Sequence, residues 1–272
     1  MSNTNKSPVL NPEQTGENST APMDFKSIGE QVSASYGNIA TRYRSDDEIE
    51  VTTEHHRHLR GILGTLSSSF GRPITTLDVG CGTGRYFYCL KSVAHLVGID
   101  ISEAMLNIAT TPVKQNEISV KKIELHCANA HLKSFPPESF DLIYSLGMFG
   151  HGCPVTIELC NKFHDWLAPG GRLFFDAVDI ATLPPWHRVR RQIRRSIYPF
   201  LPQRLKHALD QRTGSVPFCG LSKRDLEKIM RASRFTDFSV SSHVCQSPLW
   251  RGLHLECAAS KPFMMKQSQQ HS

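Results

Sequence analysis

A run of closely spaced glycines directly after an apolar segment is the feature that most constrains the fold of this chain. The segment 74–77 (ITTL) leads into Asp78-Val79-Gly80-Cys81-Gly82-Thr83-Gly84. This pattern is typical of a buried strand that ends in a tight turn, because glycine tolerates backbone angles that a Cβ atom forbids and lets a ligand approach the main chain closely. The spacing is G-x-G-x-G, whereas the dinucleotide fingerprint is G-x-G-x-x-G.

A carboxylate closes the next predicted strand. The glycine turn is predicted to open a helix over residues 85–93, and the apolar segment 95–100 that follows ends in Asp100. The two oxygens of a carboxylate can accept hydrogen bonds from both hydroxyls of a ribose. The order strand, glycine turn, helix, strand and acid therefore predicts that the chain binds a nucleoside.

Apolar runs and helical patterns alternate along the remaining chain. The predicted strands lie near 75–79, 95–100, 122–127, 140–146 and 171–178, and the predicted helices near 85–93, 103–110 and 154–167; a helix over 222–233 and a hairpin over 235–244 and 253–259 follow. Such alternation predicts an α/β fold with a doubly wound, mostly parallel sheet, and a ligand site at the carboxyl ends of its strands. Gly80, Asp100, Asn129 and Ser145 fall at such ends.

With these motifs the chain resembles the class I S-adenosylmethionine-dependent methyltransferases, and among them the group that acts mainly on small molecules. The resemblance extends from about residue 36 to residue 177, and the segments 36–43, 127–130, 135–143 and 167–173 also carry it. Three positions depart from the family pattern: Asn129 replaces the usual aspartate, and Gly37 and Arg44 stand where acids are common.

The resemblance implies a Rossmann-like methyltransferase fold with seven strands, an antiparallel last strand and S-adenosylmethionine as the cofactor. The cofactor-binding residues that it implies are Asp78, Gly80, Cys81, Gly82, Asp100, Ile101, Met105, Asn129, Ala130 and Ser145. Among them, the glycines would contact the methionine portion and Asp100 the ribose. The implied reaction is in-line transfer of the methyl group to an O, N or C atom of a small or lipid-like acceptor.

A general base is needed only for an acceptor that keeps its proton, because the sulfonium methyl group is already activated and the enzyme mainly aligns the reactants. His151 follows the fourth predicted strand and is the candidate catalytic residue, since an imidazole pKa of about 6.5 suits proton removal. The alternative is a surface or capping histidine. No Asn-Pro-Pro-Tyr or Asp-Pro-Pro-Tyr tetrapeptide follows that strand, which argues against methylation of an exocyclic base amine.

Positive charge is concentrated in residues 186–212. This segment holds seven arginines and one lysine against one acid, whereas the whole chain carries a net charge of +6. Trp186, Val189, Ile193 and Ile197 share one helical face there. The segment is interpreted as a solvated helix packed on the core, a lid that attracts an anionic acceptor, or an interfacial helix on an anionic membrane. Contact with nucleic acid is less favoured.

The remaining features set the expected domain organisation. We expect a disordered tail over 1–24, one methyltransferase domain over 25–262 with a basic lid insertion over 181–219, and a flexible tail over 263–272. The N-terminal tail lacks the apolar region of a secretory signal. The eight cysteines include no C-x-x-C pair, so we expect no metal, and a reducing cytoplasmic setting.

Two other functional classes remain open from the sequence. One is a tRNA or protein methyltransferase that holds its substrate through the arginine-rich insertion. The other is a non-catalytic binding module that keeps the same fold. The sequence indicates no obligate protein partner.

Overall fold

The computed structural model describes residues 24–150, 152–182, 200, 202, 218–249 and 251–263. The strands of this part are β1 (Ile74–Val79), β2 (Val93–Asp100), β3 (Lys122–Cys127), β4 (Phe140–Phe149), β5 (Leu167–Val178), β6 (Asp237–Gln246) and β7 (Arg251–Ser260). The helices are α1 (Phe25–Gly37), α2 (Ala40–Glu50), α3 (Glu54–Ser68), α4 (Glu103–Ala109), α5 (Ile157–Trp166) and α6 (Lys223–Ala232).

The seven strands form one sheet in the order β3-β2-β1-β4-β5-β7-β6. Strands β1 to β5 pair in parallel, and β7 runs antiparallel to both of its neighbours, β5 and β6. The predicted α/β fold with an antiparallel last strand is therefore confirmed. The chain proceeds from β1 outward to β2 and β3, then returns to β4 on the other side of β1. This reversal leaves a crevice at the carboxyl ends of β1 and β4, where ligands bind in sheets of this type.

Two hydrophobic clusters cover the two faces of the sheet. One contains Phe163 of α5 and Leu226 of α6, and the other contains Leu59 and Leu63 of α3. Side chains alternate between the faces along a strand. In β4, accordingly, Ile143 belongs to the first cluster and its neighbours belong to the second.

Four helices begin at a serine or threonine whose side chain caps them. Thr53, Ser102, Thr156 and Ser222 each accept a hydrogen bond from a backbone N–H in the first turn of α3, α4, α5 and α6. Such caps satisfy donors that have no partner within the helix, and each contributes about 1 kcal/mol. The local sequence thus fixes where these helices start.

The predicted helix over residues 85–93 is wrong. Between the glycine turn and β2 the chain forms only a single 3-10 turn, Phe87–Cys89. All residues from 86 to 90 are buried, and this segment packs beside Leu59 and Leu63 of α3. Because the segment has no solvent-facing side, it lacks the two-sided pattern that stabilises a surface helix.

The tyrosine segment 36–43 contains a break between two helices. Helix α1 ends at Gly37, and α2 begins at Ala40. Glycine in a helix interior costs about 1 kcal/mol relative to alanine, so an exposed glycine is a favourable place for a helix to end. Tyr36 and Tyr43 nevertheless approach each other, with ring centroids 5.8 Å apart.

Several predicted segments lie outside the described residues. These are nearly all of the tail 1–24, most of the insertion 181–219, the basic segment 186–212 except two residues, and nearly all of the tail 263–272. Of the helices in the part that the structure describes, none combines the length and the apolar composition needed to cross a bilayer.

The fold buries His56 in its neutral form. Its Nε2 atom lies 2.7 Å from the hydroxyl oxygen of Tyr88, and its ring stacks on Tyr86 at 5.1 Å. Burial, helped by the positive charge of Arg85, lowers the pKa of His56 from 6.5 to about 3. The unfolded chain therefore takes up a proton between these pH values that the folded protein excludes, and stability is lost as the pH falls through this range.

Replacing His56 with glutamine tests this linkage. A histidine kept neutral by the fold contributes a slope of up to about 1.4 kcal/mol per pH unit. We expect His56→Gln to lower stability at neutral pH but to make the decline towards acidic pH shallower, measured by chemical denaturation across the pH range. His126→Gln, at an exposed position, should keep the wild-type slope. Equal slopes for all three proteins would contradict this account of His56.

Candidate active site

A pocket lies at the carboxyl ends of β1, β2 and β4, beneath helix α1. Eight of the ten predicted cofactor-binding residues line it: Gly80, Cys81, Gly82, Asp100, Ile101, Met105, Asn129 and Ala130. Asp78 and Ser145 do not line it and are buried within the strands behind it. The sheet topology therefore brings these eight residues together from three separate segments of the sequence, 80–82, 100–105 and 129–130.

The glycine turn gives the pocket a main-chain floor. Gly80 and Gly82 have positive φ angles of 76° and 54°, in the region that favours glycine. The backbone N–H groups of Gly80 and Cys81 both donate to the carbonyl oxygen of Ile99, at 2.8 and 3.0 Å. A Cβ atom at Gly80 would lie 2.7 Å from the sulfur of Met148, whereas one at Gly82 would meet nothing within 4 Å. The backbone at Gly82 is therefore open to a ligand.

Asp100 is fixed at the end of β2 by two backbone donors. Its Oδ2 accepts from the N–H of Gly82 at 2.9 Å, and its Oδ1 accepts from the N–H of Ser102 at 2.8 Å. Burial raises the pKa of Asp100, while these two N–H groups act in the opposite direction. Each carboxylate oxygen can accept a further bond, so the oriented side chain can still receive two hydroxyl groups.

Asp78 lies deeper, in β1. Burial is the main cause that raises the pKa of Asp78 to about 8, and the negative charge of Asp100 raises it further. The Tyr144 hydroxyl acts in the opposite direction. A carboxyl group with such a pKa is mostly protonated near neutral pH. Asp78 is therefore suited to a neutral hydrogen-bonding role under the glycine turn.

Helix α1 is fastened across the pocket by three contacts. The side-chain nitrogen of Asn129 donates to the carbonyl oxygen of Phe25 at 2.8 Å, and the Ser33 hydroxyl donates to the carbonyl oxygen of Ile101 at 3.0 Å. The Phe25 ring stacks on His131 with centroids 3.9 Å apart. Asn129 also accepts from the backbone N–H of His131 through its side-chain oxygen. This asparagine therefore holds the helix in place as well as lining the pocket.

The α1 contribution is absent from the sequence analysis. Phe25, Ile28, Gly29, Val32 and Tyr36 all line the pocket. They recur at i, i+3, i+4, i+7 and i+11, which places them on one face of a helix. That periodicity was the available signal, and all of it except Tyr36 lies upstream of the segment that carries the family resemblance.

An ion pair lies at one end of the pocket, with its cation in the pocket lining. Arg85 lines it together with Tyr43 and Tyr86, and its Nε lies 3.5 Å from the Oδ1 of Asp47. Asp47 is itself buried and accepts a hydrogen bond from the Thr83 hydroxyl. Burial raises the pKa of Asp47, and the charge of Arg85 opposes that rise. The pair brings one cation and one carboxylate to this end of the site.

A contact between Asp176 and His254 supports the end of β4. The N–H of Gly147, a residue of the pocket wall, donates to the Oδ1 of Asp176 at 2.6 Å. The other carboxylate oxygen lies 3.0 Å from the Nδ1 of His254. Burial alone would lower the pKa of His254, but the hydrogen bond and charge of Asp176 raise it. The pair therefore fixes the position of a wall residue without entering the pocket.

The candidate base His151 lies outside the described residues, and its role stays a prediction. Its neighbour Gly152, and Cys153, line the pocket.

No disulfide joins any of the eight cysteines, all of which belong to the described part of the chain.

Comparisons with known proteins identify a similar class of domain. Residues 76–171 match the family model for the methyltransferase domain. Phosphoethanolamine N-methyltransferase from Triticum aestivum is 30% identical over 158 residues, which cover 57% of this chain and 30% of that protein. Demethylmenaquinone methyltransferase from Lactococcus lactis is 27% identical over 176 residues, which cover 63% of this chain and 68% of the relative.

Solved structures share the fold. The 1,6-didemethyltoxoflavin-N1-methyltransferase of Burkholderia thailandensis, solved with 1,6-didemethyltoxoflavin and S-adenosylhomocysteine, superposes with a TM-score of 0.57 at 16% identity, covering 89% of this chain and 92% of that one. Phosphoethanolamine N-methyltransferase 2 of Haemonchus contortus gives a TM-score of 0.52 at 17% identity, covering 75% of this chain and 52% of that one.

The seven-stranded sheet has the Rossmann-like fold of the solved methyltransferases, and residues 76–171 match a methyltransferase domain. The family match over residues 76–171 and the shared fold agree with the resemblance to the class I S-adenosylmethionine-dependent methyltransferases that the motifs carry. The chain spans less than half the length of the plant phosphoethanolamine N-methyltransferases that it matches.

The close packing of α1 on the pocket can be tested at Gly29. A Cβ atom there would lie 2.6 Å from the side-chain nitrogen of Asn129 and 2.7 Å from the Cδ1 of Ile101, whereas one at Gly37 would meet nothing within 4 Å. We expect Gly29→Ala to destabilise the protein by about 1–2 kcal/mol, because Asn129 must move from its bond to Phe25.

Gly37→Ala is the matched control in the same helix. It should be neutral, or stabilising by up to about 1 kcal/mol, because alanine is the better helix former. Chemical denaturation measures both effects, and limited proteolysis near residue 25 reports whether α1 loosens. Equal stability of the two variants would contradict the packing described for Gly29.

Proposed function

We propose that this protein is an enzyme that transfers the methyl group of S-adenosylmethionine to an O, N or C atom of a small or lipid-like acceptor by in-line displacement. The observation that carries the proposal is the position of Asp100. Its carboxylate stands beside the open backbone of Gly82 and retains the capacity to accept two hydroxyl groups.

The pocket residues fit this cofactor. The open face at Gly82 would admit the methionine portion, and Asp100 would accept hydrogen bonds from the ribose hydroxyls. Ile101 and Met105 would enclose the adenine, with Asn129 and Ala130 at its edge. The side-chain oxygen of Asn129 already accepts one bond from His131 and can accept one more. Asp78 and Ser145 do not line the pocket, and their assignment as direct cofactor contacts stays a prediction.

S-adenosylmethionine supplies an activated sulfonium methyl group, so the protein's task is to orient the reactants and exclude water. Correct alignment of two reactants lowers the activation barrier by several kcal/mol. Helix α1 and the β4 end at Gly147 provide walls for this purpose. An acceptor that keeps its proton would need a base, and His151 remains our candidate for it.

The names of the relatives favour a small-molecule acceptor over RNA or protein. They name phosphoethanolamine, demethylmenaquinone and didemethyltoxoflavin, three chemically different small molecules. This diversity leaves the accepting atom and the particular acceptor of this chain open. The lid role of 181–219, the contact of 186–212 with an anionic membrane, and the cytoplasmic setting stay predictions.

Substitution of Asp100 tests the cofactor assignment. Asp100→Asn keeps the shape of the side chain but removes its charge and half of its acceptor capacity. Hydrogen bonds to charged groups contribute about 1.5–3 kcal/mol each, so we expect affinity for S-adenosylmethionine and S-adenosylhomocysteine to fall by about 10- to 100-fold. Calorimetric titration measures both affinities.

Asp237→Asn is the control, because Asp237 is an exposed acid at the start of β6. It should bind both ligands like the wild type. Thermal unfolding of each variant checks that the glycine turn survives the loss of the Asp100 charge. Unchanged affinity in a folded Asp100→Asn protein would overturn the ribose assignment. Tight binding of both ligands without turnover on any of a broad panel of small acceptors would favour the non-catalytic module.

A further inference from the structure

A second group of ionisable side chains lies between helix α3 and the β6–β7 hairpin, away from the pocket. It consists of His58 on α3, His243 on β6 and Glu256 on β7. One potential ligand atom from each residue lies within 4.8 Å of the other two. Glu256 is buried, and both histidines are half-buried.

The contacts within this group are direct. The Nε2 of His58 lies 2.7 Å from the Oε1 of Glu256. The rings of His58 and His243 are parallel, with centroids 4.1 Å apart and an angle of 4° between their planes. In the hairpin, Ser241 pairs with Glu256 and His243 with His254, so His243 and Glu256 are diagonal neighbours. Three elements thus supply one side chain each to a single point.

We propose that His58, His243 and Glu256 form a binding site for a divalent transition-metal ion of the zinc type. Two imidazole nitrogens and one carboxylate oxygen are a donor set that zinc accepts, with water in the fourth position. Calcium and magnesium prefer oxygen ligands, which two histidines do not offer. A buried carboxylate against two imidazoles also provides a negative charge for the cation at a site with access to solvent.

Metal binding requires one change in this arrangement. A ring nitrogen directs its lone pair within the plane of its ring, and two parallel planes cannot both direct a lone pair at one ion. At least one imidazole therefore turns on binding. His243 is the better candidate, because it stacks on His58 while His58 is held by Glu256. The ring of the buried His55 lies 5.6 Å from that of His243, so His55 is the neighbour that this rotation would affect.

The site is independent of the proposed methyl transfer, so its test uses metal binding and not turnover. The protein is first treated with a chelator and then titrated with Zn²⁺ alone, in competition with a chromogenic zinc indicator. We expect one equivalent to bind with micromolar or tighter affinity and to raise the thermal unfolding midpoint by about 5 °C at saturation.

Two variants remove ligands, and two serve as controls. His243→Gln and Glu256→Gln should each weaken zinc binding by at least about 10-fold. His126→Gln removes a histidine from the exposed group around Glu124 on β3, and Cys127→Ser removes an exposed thiol. Both controls should keep the wild-type affinity. Absence of binding, or binding that only the control substitutions reduce, would overturn the proposal.

Cobalt provides a readout that needs no variant. Co²⁺ added to the wild-type protein should give the visible ligand-field absorption of a histidine-ligated ion, and Zn²⁺ should displace it. If a ligand variant fails to fold, this spectrum still decides the question. A spectrum identical to that of Co²⁺ in buffer would contradict the proposed site.

Discussion

The backbone N–H groups of Gly80 and Cys81 converge on one carbonyl oxygen, that of Ile99, and the geometry of the pocket depends on this junction. It joins the turn after β1 to the end of β2, and so places Asp100 within reach of the N–H of Gly82. Gly80 and Gly82 take positive φ angles in this turn, and a residue with a Cβ atom would be strained at such angles. Asp100, the acid proposed to bind the ribose, and the open backbone at Gly82 are therefore products of one local arrangement.

The fold was largely accessible from the sequence where burial produces a simple pattern. Central strands of a parallel sheet are covered on both faces, so they are nearly continuous apolar runs, and the mostly buried strands β1, β2 and β4 begin within about two residues of their predicted starts. The segment after the glycine turn was predicted wrongly because its aromatic residues are buried in a cluster to which α3 contributes. That burial depends on a helix earlier in the chain, and local periodicity does not reveal it.

The candidate site was only partly accessible for the same reason. The glycines and Asp100 belong to short motifs, but the attachment of α1 rests on contacts between residues such as Phe25 and Asn129. The histidine and glutamate group between α3 and the hairpin was missed altogether. His58 and Glu256 are 198 positions apart in sequence, and only the antiparallel register of β6 and β7 brings His243 beside them. Sequence motifs for metal ligands cover much shorter separations along the chain.

The attachment of α1 has a thermodynamic consequence for any molecule that occupies the pocket. A ligand that touches both α1 and the strand ends interacts with the docked helix and not with an undocked one. Binding and docking are then linked, and each must favour the other by the same free energy. The backbone amides of α1, at the start of the described chain, should therefore exchange with solvent more slowly when the pocket is filled, although most residues of this helix do not line the pocket.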